Sequence, residues 1–174
     1  LIVKLDSLHQ KFSATDTVFF FFFSTFEPTK KLANVPNINT IPGEDVFCFD
    51  CRILPQYPLS EVEKTVREIC DSVEAEFGVK ISMTSPQKEE AAPATPVDAP
   101  VVKALQPAIK AVYKVDAETV GIGGGTVAAF FRRAGFNAAV WSTLEDMCHQ
   151  PNEYCVISNM VNDAKVFAHV FMQD

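Results

Sequence analysis

Four glycines within five residues, Gly121-Ile122-Gly123-Gly124-Gly125, constrain this chain more than any other stretch. The β-prone run Ala117–Val120 leads into them, and Thr126 follows as the expected opening of an amphipathic helix over 127–134. Strand, glycine turn and helix in that order present backbone N–H groups and a helix N-terminus to an anion. A second apolar run, Ala138-Ala139-Val140-Trp141, reads as a strand, and the polar loop after it carries His149-Gln150-Pro151-Asn152-Glu153. The spacing fails the dinucleotide fingerprint, because the third glycine would fall on Thr126. Nucleotide binding is therefore a weak third reading.

The same pattern reading extends along the rest of the chain. Leu1, Leu5, Leu8 and Phe12 lie at helical spacing. Val18 and the run Phe19–Phe23 have no period, and a buried or dimer-facing strand is expected, with an exposed aggregation-prone segment as the alternative. Strands are expected over 26–33, 44–54 and 79–84. A helix over 61–77 should bury Val62, Val66, Ile69, Val73 and Phe77, with Ser60 and Glu63 as a capping box and Gly78 as the C-cap. The stretch 86–96, rich in Pro and Ala, reads as a hinge. Beyond it, Asp98 should cap a helix to about Tyr113, kinked by Pro107, and a last helix over 158–172 should pack Met160, Val161, Ala164, Phe167, Ala168 and Phe171. The resulting order predicts a mixed α/β chain with domains at 1–88 and 89–174.

Composition narrows the partners. A net charge of −7 without a basic cluster argues against nucleic acid. The apolar run 18–23 is far short of the ~20 residues that span a bilayer. Five cysteines in no scaffold pattern, and no leader-like start, point to a reducing cytoplasm. Cys48 and Cys51 have CxxC spacing, yet strand alternation sends their sulfurs to opposite faces, against a metal or redox role. Glu89-Glu90 lies in the hinge and reads as a solvated pair, while His9 and His169 sit on helices with no second ligand one turn away.

Taken together, the GGGT turn and HQPNE resemble the C-terminal half of the co-catalytic di-zinc amidohydrolase and exopeptidase family, the group of acetylornithine deacetylase and succinyl-diaminopimelate desuccinylase. Asn39-Thr40-Ile41-Pro42-Gly43-Glu44 followed by Asp50-Cys51-Arg52 is similar to that family's lid segment, and the likeness covers nearly the whole chain. The resemblance implies an incomplete ferredoxin-like lid, or dimerisation, domain joined to the C-terminal part of an α/β zinc-exopeptidase-like catalytic domain. It implies His149 as a ligand to one of two zincs, with cobalt or manganese as substitutes. Asn39, Arg52, Gly125, Thr126 and Glu145 are implied on the substrate, with Arg52 on a carboxylate, a task suited to a planar guanidinium. The implied substrate is a small N-acyl amino acid or dipeptide-like molecule, and the implied assembly is a homodimer through the lid. The family's other ligands and its general base have no counterpart here, and Glu89-Glu90 comes in the wrong order to supply them. The chain is thus expected to be a fragment without a catalytic residue of its own. The alternative is a non-catalytic dimerisation or interaction module.

Overall fold

The computed structural model describes residues 1–13 and 23–173. The chain divides into two units. One comprises residues 1–91 with 121–124, and the other residues 92–120 with 125–174.

In the first unit, α1 (Ile2–Asp6) and α2 (Leu8–Lys11) take the place of the single expected helix, with the break at Ser7. The expected face is nevertheless the buried one. Leu5, Leu8 and Phe12 pack with Phe26 and Val62, and Phe12 meets Tyr57 edge-on at 5.2 Å. Most of the phenylalanine run lies outside the described residues, and its last member, Phe23, is exposed.

The strand β1 (Thr25–Lys31) pairs antiparallel with β2 (Phe47–Arg52), from Thr25 opposite Arg52 to Lys31 opposite Phe47. A bulge at Thr29 interrupts the register between Pro28 and Lys30. Pro28 is tolerated because a strand of a two-stranded sheet has a free edge for a residue without an N–H. Phe47 and Phe49 turn partly inward, while Cys48 and Asp50 turn outward, as alternation requires. Cys48 and Cys51 are free and exposed, three positions apart on one strand and so on opposite faces.

The helix α3 (Leu59–Phe77) buries Val62, Thr65, Cys70 and Val73, but Phe77 at its end is exposed. The expected capping box does not form. The helix starts two residues early, with Pro58 as N-cap, so Ser60 lies inside it, and Glu63 instead pairs with Lys88 at 2.7 Å. The first helical N–H, that of Leu59, goes to Glu90 Oε1 at 3.1 Å. Glu90 is therefore a remote cap rather than a solvated charge, favoured by the positive end of the helix dipole. Gly78 closes the helix in the left-handed conformation, φ 65°, its N–H on the Glu74 carbonyl.

The second unit contains α4 (Pro100–Tyr113), α5 (Ala128–Arg133) and α6 (Ile157–Phe171). Pro100 opens α4 after Ala99, not Asp98, as N-cap, and the helix runs on through the exposed Pro107. Ala108 and Ile109 pack on Val166, flanked by Leu105, Val112, Tyr113, Ala117, Trp141 and Val170. This overturns the expected stripe on α6. Met160, Val161, Phe167 and Phe171 are exposed, and the inward line is instead Asn159, Asp163, Val166 and Val170, at helical spacing.

Three expected strands, at 79–84, 117–120 and 138–141, enter no sheet among the described residues. In each, the backbone of one residue is bound by side chains from elsewhere in the chain. Glu74 accepts the Ile81 N–H at 2.6 Å and Arg67 donates to the Ile81 carbonyl at 2.8 Å. Gln106 donates to the Ala117 carbonyl at 3.0 Å. The Thr95 hydroxyl serves both the N–H and the carbonyl of Ala138, at 3.1 and 2.7 Å. Among the described residues the fold is thus mixed α/β with one two-stranded sheet, and the second unit carries no sheet of its own. No helix among those residues is long and apolar enough to cross a membrane.

Candidate functional site

Arg52 is the last residue of β2, and its guanidinium is held at two points. Nε donates to Asp50 Oδ2 at 2.5 Å, and Nη1 donates to the carbonyl of Gly123 at 3.1 Å. Residues of the same face, two apart on one strand, are natural partners, so Asp50 sets the plane of the Arg52 fork. The Gly123 bond brings the end of β2 to the glycine turn, two sequence features 71 residues apart.

Gly124 and Gly125 show no positive φ, and a Cβ added at either would meet nothing within 4 Å. Neither backbone conformation nor crowding inside the chain demands glycine there. Thr126 does not cap the following helix. Val127 is the N-cap of α5, no side chain caps it, and six residues make too short a helix to carry the anion-binding end expected from the sequence.

Asn39 is exposed in the long loop between β1 and β2. That loop is closed at its base by Leu32 N–H to the Val46 carbonyl at 3.1 Å and by Asn34 to Asp45 at 2.9 Å. Arg52 stands at the opposite end of the hairpin, five residues of β2 away from Phe47, or roughly 17 Å at a strand's rise. The loop base and Arg52 therefore lie at opposite ends of the sheet.

The loop after Trp141 is built by short-range bonds. Met147 N–H reaches the Glu145 carbonyl at 2.8 Å, Gln150 N–H reaches the Met147 carbonyl at 3.2 Å, and Gln150 Nε2 donates to the Asp146 carbonyl at 2.9 Å. His149 and Asn152 both adopt left-handed backbone, φ 62° and 61°. Such conformations cost a non-glycine residue about 1 kcal/mol or more and need surrounding bonds to hold them. Glu153 supplies one, accepting the His149 N–H at 3.2 Å. The exposed imidazole of His149 thus sits on a backbone pinned from both sides.

Glu145 accepts from Asn159 Nδ2 at 3.3 Å and lines a cavity of about 290 Å³ with Thr143, Met147, Cys148, Glu153 and Cys155 among its walls. His149 is not one of the lining residues. Among the described residues, no group of three or more His, Cys, Asp or Glu side chains is placed to hold a metal ion. The donors present here do not amount to a metal site by themselves.

Sequence reasoning missed the polar cluster beneath this loop. Asp163 of α6 accepts the Thr143 N–H at 2.8 Å, the Thr143 hydroxyl at 2.7 Å and the Tyr113 hydroxyl at 2.7 Å. Tyr113 packs edge-on against Trp141 at 5.9 Å. Burial alone would raise the Asp163 pKa. The Thr143 N–H and the two hydroxyls outweigh it and hold the carboxyl below its usual range, while burial and then the bond to Asp163 push Tyr113 up. The Trp141 Nε1 lies buried beside the same carboxylate without a completed, well-aligned bond. No signal in the sequence alone would have found them: Asn159 and Asp163 continue the Val166–Val170 line at helical spacing, but only the packing of α4 against α6 makes that line the inward one.

The chain matches the peptidase family M20/M25/M40 over residues 10–173. It is 39% identical over 178 residues to an uncharacterised metallohydrolase of Methanocaldococcus jannaschii, covering 95% of this chain and 42% of that relative. It is 40% identical over 177 residues to an uncharacterised metallohydrolase of Methanococcus maripaludis, covering 95% of this chain and 43% of that protein. The chain spans less than half the length of the curated relatives it matches. With the glycine turn, the Arg52 strand and the His149 loop all inside the matched span, this chain belongs to the peptidase family M20/M25/M40.

Proposed function

We propose that this chain is part of a metal-dependent amidohydrolase that cleaves the amide bond of N-acyl amino acids, of the acetylornithine deacetylase or succinyl-diaminopimelate desuccinylase kind. The observation that carries the reading is the bond from Arg52 to the Gly123 carbonyl, which joins the lid-like and catalytic-like motifs at one place. With Nε on Asp50 and Nη1 on the Gly123 carbonyl, Nη2 is the guanidinium nitrogen left to meet a substrate carboxylate. Gly124 and Gly125, open on the side a Cβ would fill, give that substrate's backbone-like atoms room to approach. Glu145, in the wall of a cavity of the second unit, and Thr126 are assigned to the substrate on the family resemblance.

His149 contributes one imidazole to the metal centre, zinc in this reading, with the remaining ligands and the general base supplied from outside the described residues. Among the described residues no group of three or more donors is placed to hold the ion by itself. The ferredoxin-like lid pairs with a second copy. Its β1–β2 loop exposes Ile38 and Ile41 on either side of Asn39, and that loop lies at the far end of the hairpin from Arg52. Asn39 therefore serves the neighbouring copy's substrate more readily than its own.

The test is hydrolysis of N-acetyl and N-succinyl amino acids by the full-length protein with zinc, cobalt or manganese. Arg52→Lys should lower kcat/KM roughly ten- to a hundredfold, since an ammonium cannot reproduce the fork. Unchanged kinetics on every hydrolysed substrate would remove Arg52 from the site. The incomplete donor set favours one second reading, a non-catalytic interaction module, and absence of turnover with all three metals would select it.

A further inference from the structure

We propose that Asp163 is a positioning residue for the segment carrying Glu145 and His149, acting through Thr143. This rests on the reading of Glu145 and His149 as site residues. One turn apart on the inward line of α6, Asp163 and Asn159 grip the segment at two points. Asp163 binds both the N–H and the hydroxyl of Thr143, and Asn159 Nδ2 donates to Glu145 Oε1 at 3.3 Å. Tyr113 of α4 donates to the same carboxylate at 2.7 Å, and its oxygen lies 2.8 Å from the Thr143 hydroxyl and 3.2 Å from the Asn159 carbonyl. The loop leaving Trp141 is thereby registered against two helices before it reaches Glu145, and His149 follows four residues later.

The chemistry favours a carboxylate at 163. An ionised carboxylate is an acceptor only, with lone pairs enough for all three donors, whichever way the Thr143 hydroxyl divides its proton between Asp163 and the Tyr113 oxygen. An amide at the same place keeps an oxygen on the Thr143 N–H only by turning its NH₂ group toward the two hydroxyls, which then lose the carboxylate as acceptor and must re-aim their protons. A half-buried donor left unpaired costs more than a bond in water is worth, and the segment would move to satisfy it. Thr143 is the hinge of that movement because nothing else among the described residues binds its N–H. The Glu145 side chain would then keep only the bond from Asn159, the longest of the cluster, while its carbonyl keeps the Met147 N–H within the loop.

The experiment compares Asp163→Asn, Thr143→Ser, Thr143→Val and Tyr113→Phe in the full-length protein, by amide hydrogen exchange and by N-acyl amino acid hydrolysis. Asp163→Asn should speed exchange over 143–149 at least tenfold while leaving α3 unchanged, and should raise KM at least threefold. Loss of folded protein lowers kcat without moving KM, so the KM change separates positioning from stability. Thr143→Ser, which keeps the hydroxyl, should move exchange and KM less than Thr143→Val, and Thr143→Val should follow Asp163→Asn in direction. If Asp163→Asn does not fold, Tyr113→Phe, which removes one donor only, must show the same shifts at smaller size. Unchanged exchange over 143–149, an unchanged KM, or Thr143→Ser as damaging as Thr143→Val would overturn the proposal. No hydrolysis by the wild type would sink the amidohydrolase reading, while the exchange arm would still decide whether Asp163 anchors the segment.

Discussion

Truncation of Val166 to Ala is the sharpest test of how α6 is rotated. Val166 has no exposed surface and sits between Ala108, Ile109 and their neighbours. Removing two methyl carbons forfeits about 1.6 kcal/mol of transfer free energy at ~0.8 per buried carbon, and a partly collapsed cavity brings the loss to ~2–3 kcal/mol. Phe171, five residues on, is 84% exposed, and Phe171→Ala should change stability by less than about 0.5 kcal/mol. The stripe expected from the sequence would place Phe171 inside, where its truncation would cost ~3–5 kcal/mol. The two orientations thus predict opposite rankings for the same pair of variants. Urea unfolding of the 174-residue chain can be followed by the fluorescence of Trp141, the single tryptophan, which packs against this cluster. At a slope of ~1–2 kcal/mol per molar, Val166→Ala should lower the midpoint by roughly 1–3 M. A Phe171→Ala variant that loses more stability than Val166→Ala would refute the helix orientation described here.

Further outcomes follow from single residues. The Asp163 carboxyl is held below its unfolded value, so its contribution to stability is present above the ordinary carboxylate range, ~3.9, and is lost as pH falls through the lower folded value. Asp163→Asn should accordingly flatten the acid limb of a stability–pH curve recorded by Trp141 fluorescence, and an unchanged limb would remove the carboxylate from the network. Gly78→Ala should cost about 1 kcal/mol in urea unfolding, because space is open around a Cβ there but φ is 65°. A gain in stability would show that the left-handed cap is not kept. The 174-residue chain with added zinc should not turn over N-acetyl or N-succinyl amino acids, since one imidazole is short of the three protein ligands usual in a catalytic zinc site. Zinc-dependent turnover that disappears in His149→Ala would show that the donors assemble after all.

Local sequence determined the parts governed by local energy. Leu5, Leu8 and Phe12 were legible as one buried line because helical spacing survives the break at Ser7. The alternation in β2, the extent of α3 and the left-handed stop at Gly78 were legible for the same reason, since strand pleat, helix period and glycine's freedom are properties of a few neighbouring residues. The motifs around Arg52, the glycine turn and His149 were also legible, and they led to the family. Tertiary structure alone decided which of two apolar lines on α6 faces inward, because Met160, Phe167 and Phe171 are as hydrophobic as Val166, and only a partner helix distinguishes them. It alone decided that 79–84, 117–120 and 138–141 join no sheet among the described residues, because a strand exists only by pairing and no local sequence supplies the partner. Arg52 meeting Gly123, Glu90 capping a helix that begins 31 residues before it, and Asp163 gathering Thr143 and Tyr113 belong to the same class. Each joins residues too far apart in the chain for any period to connect them, so only the folded arrangement of the helices and the hairpin could bring them together.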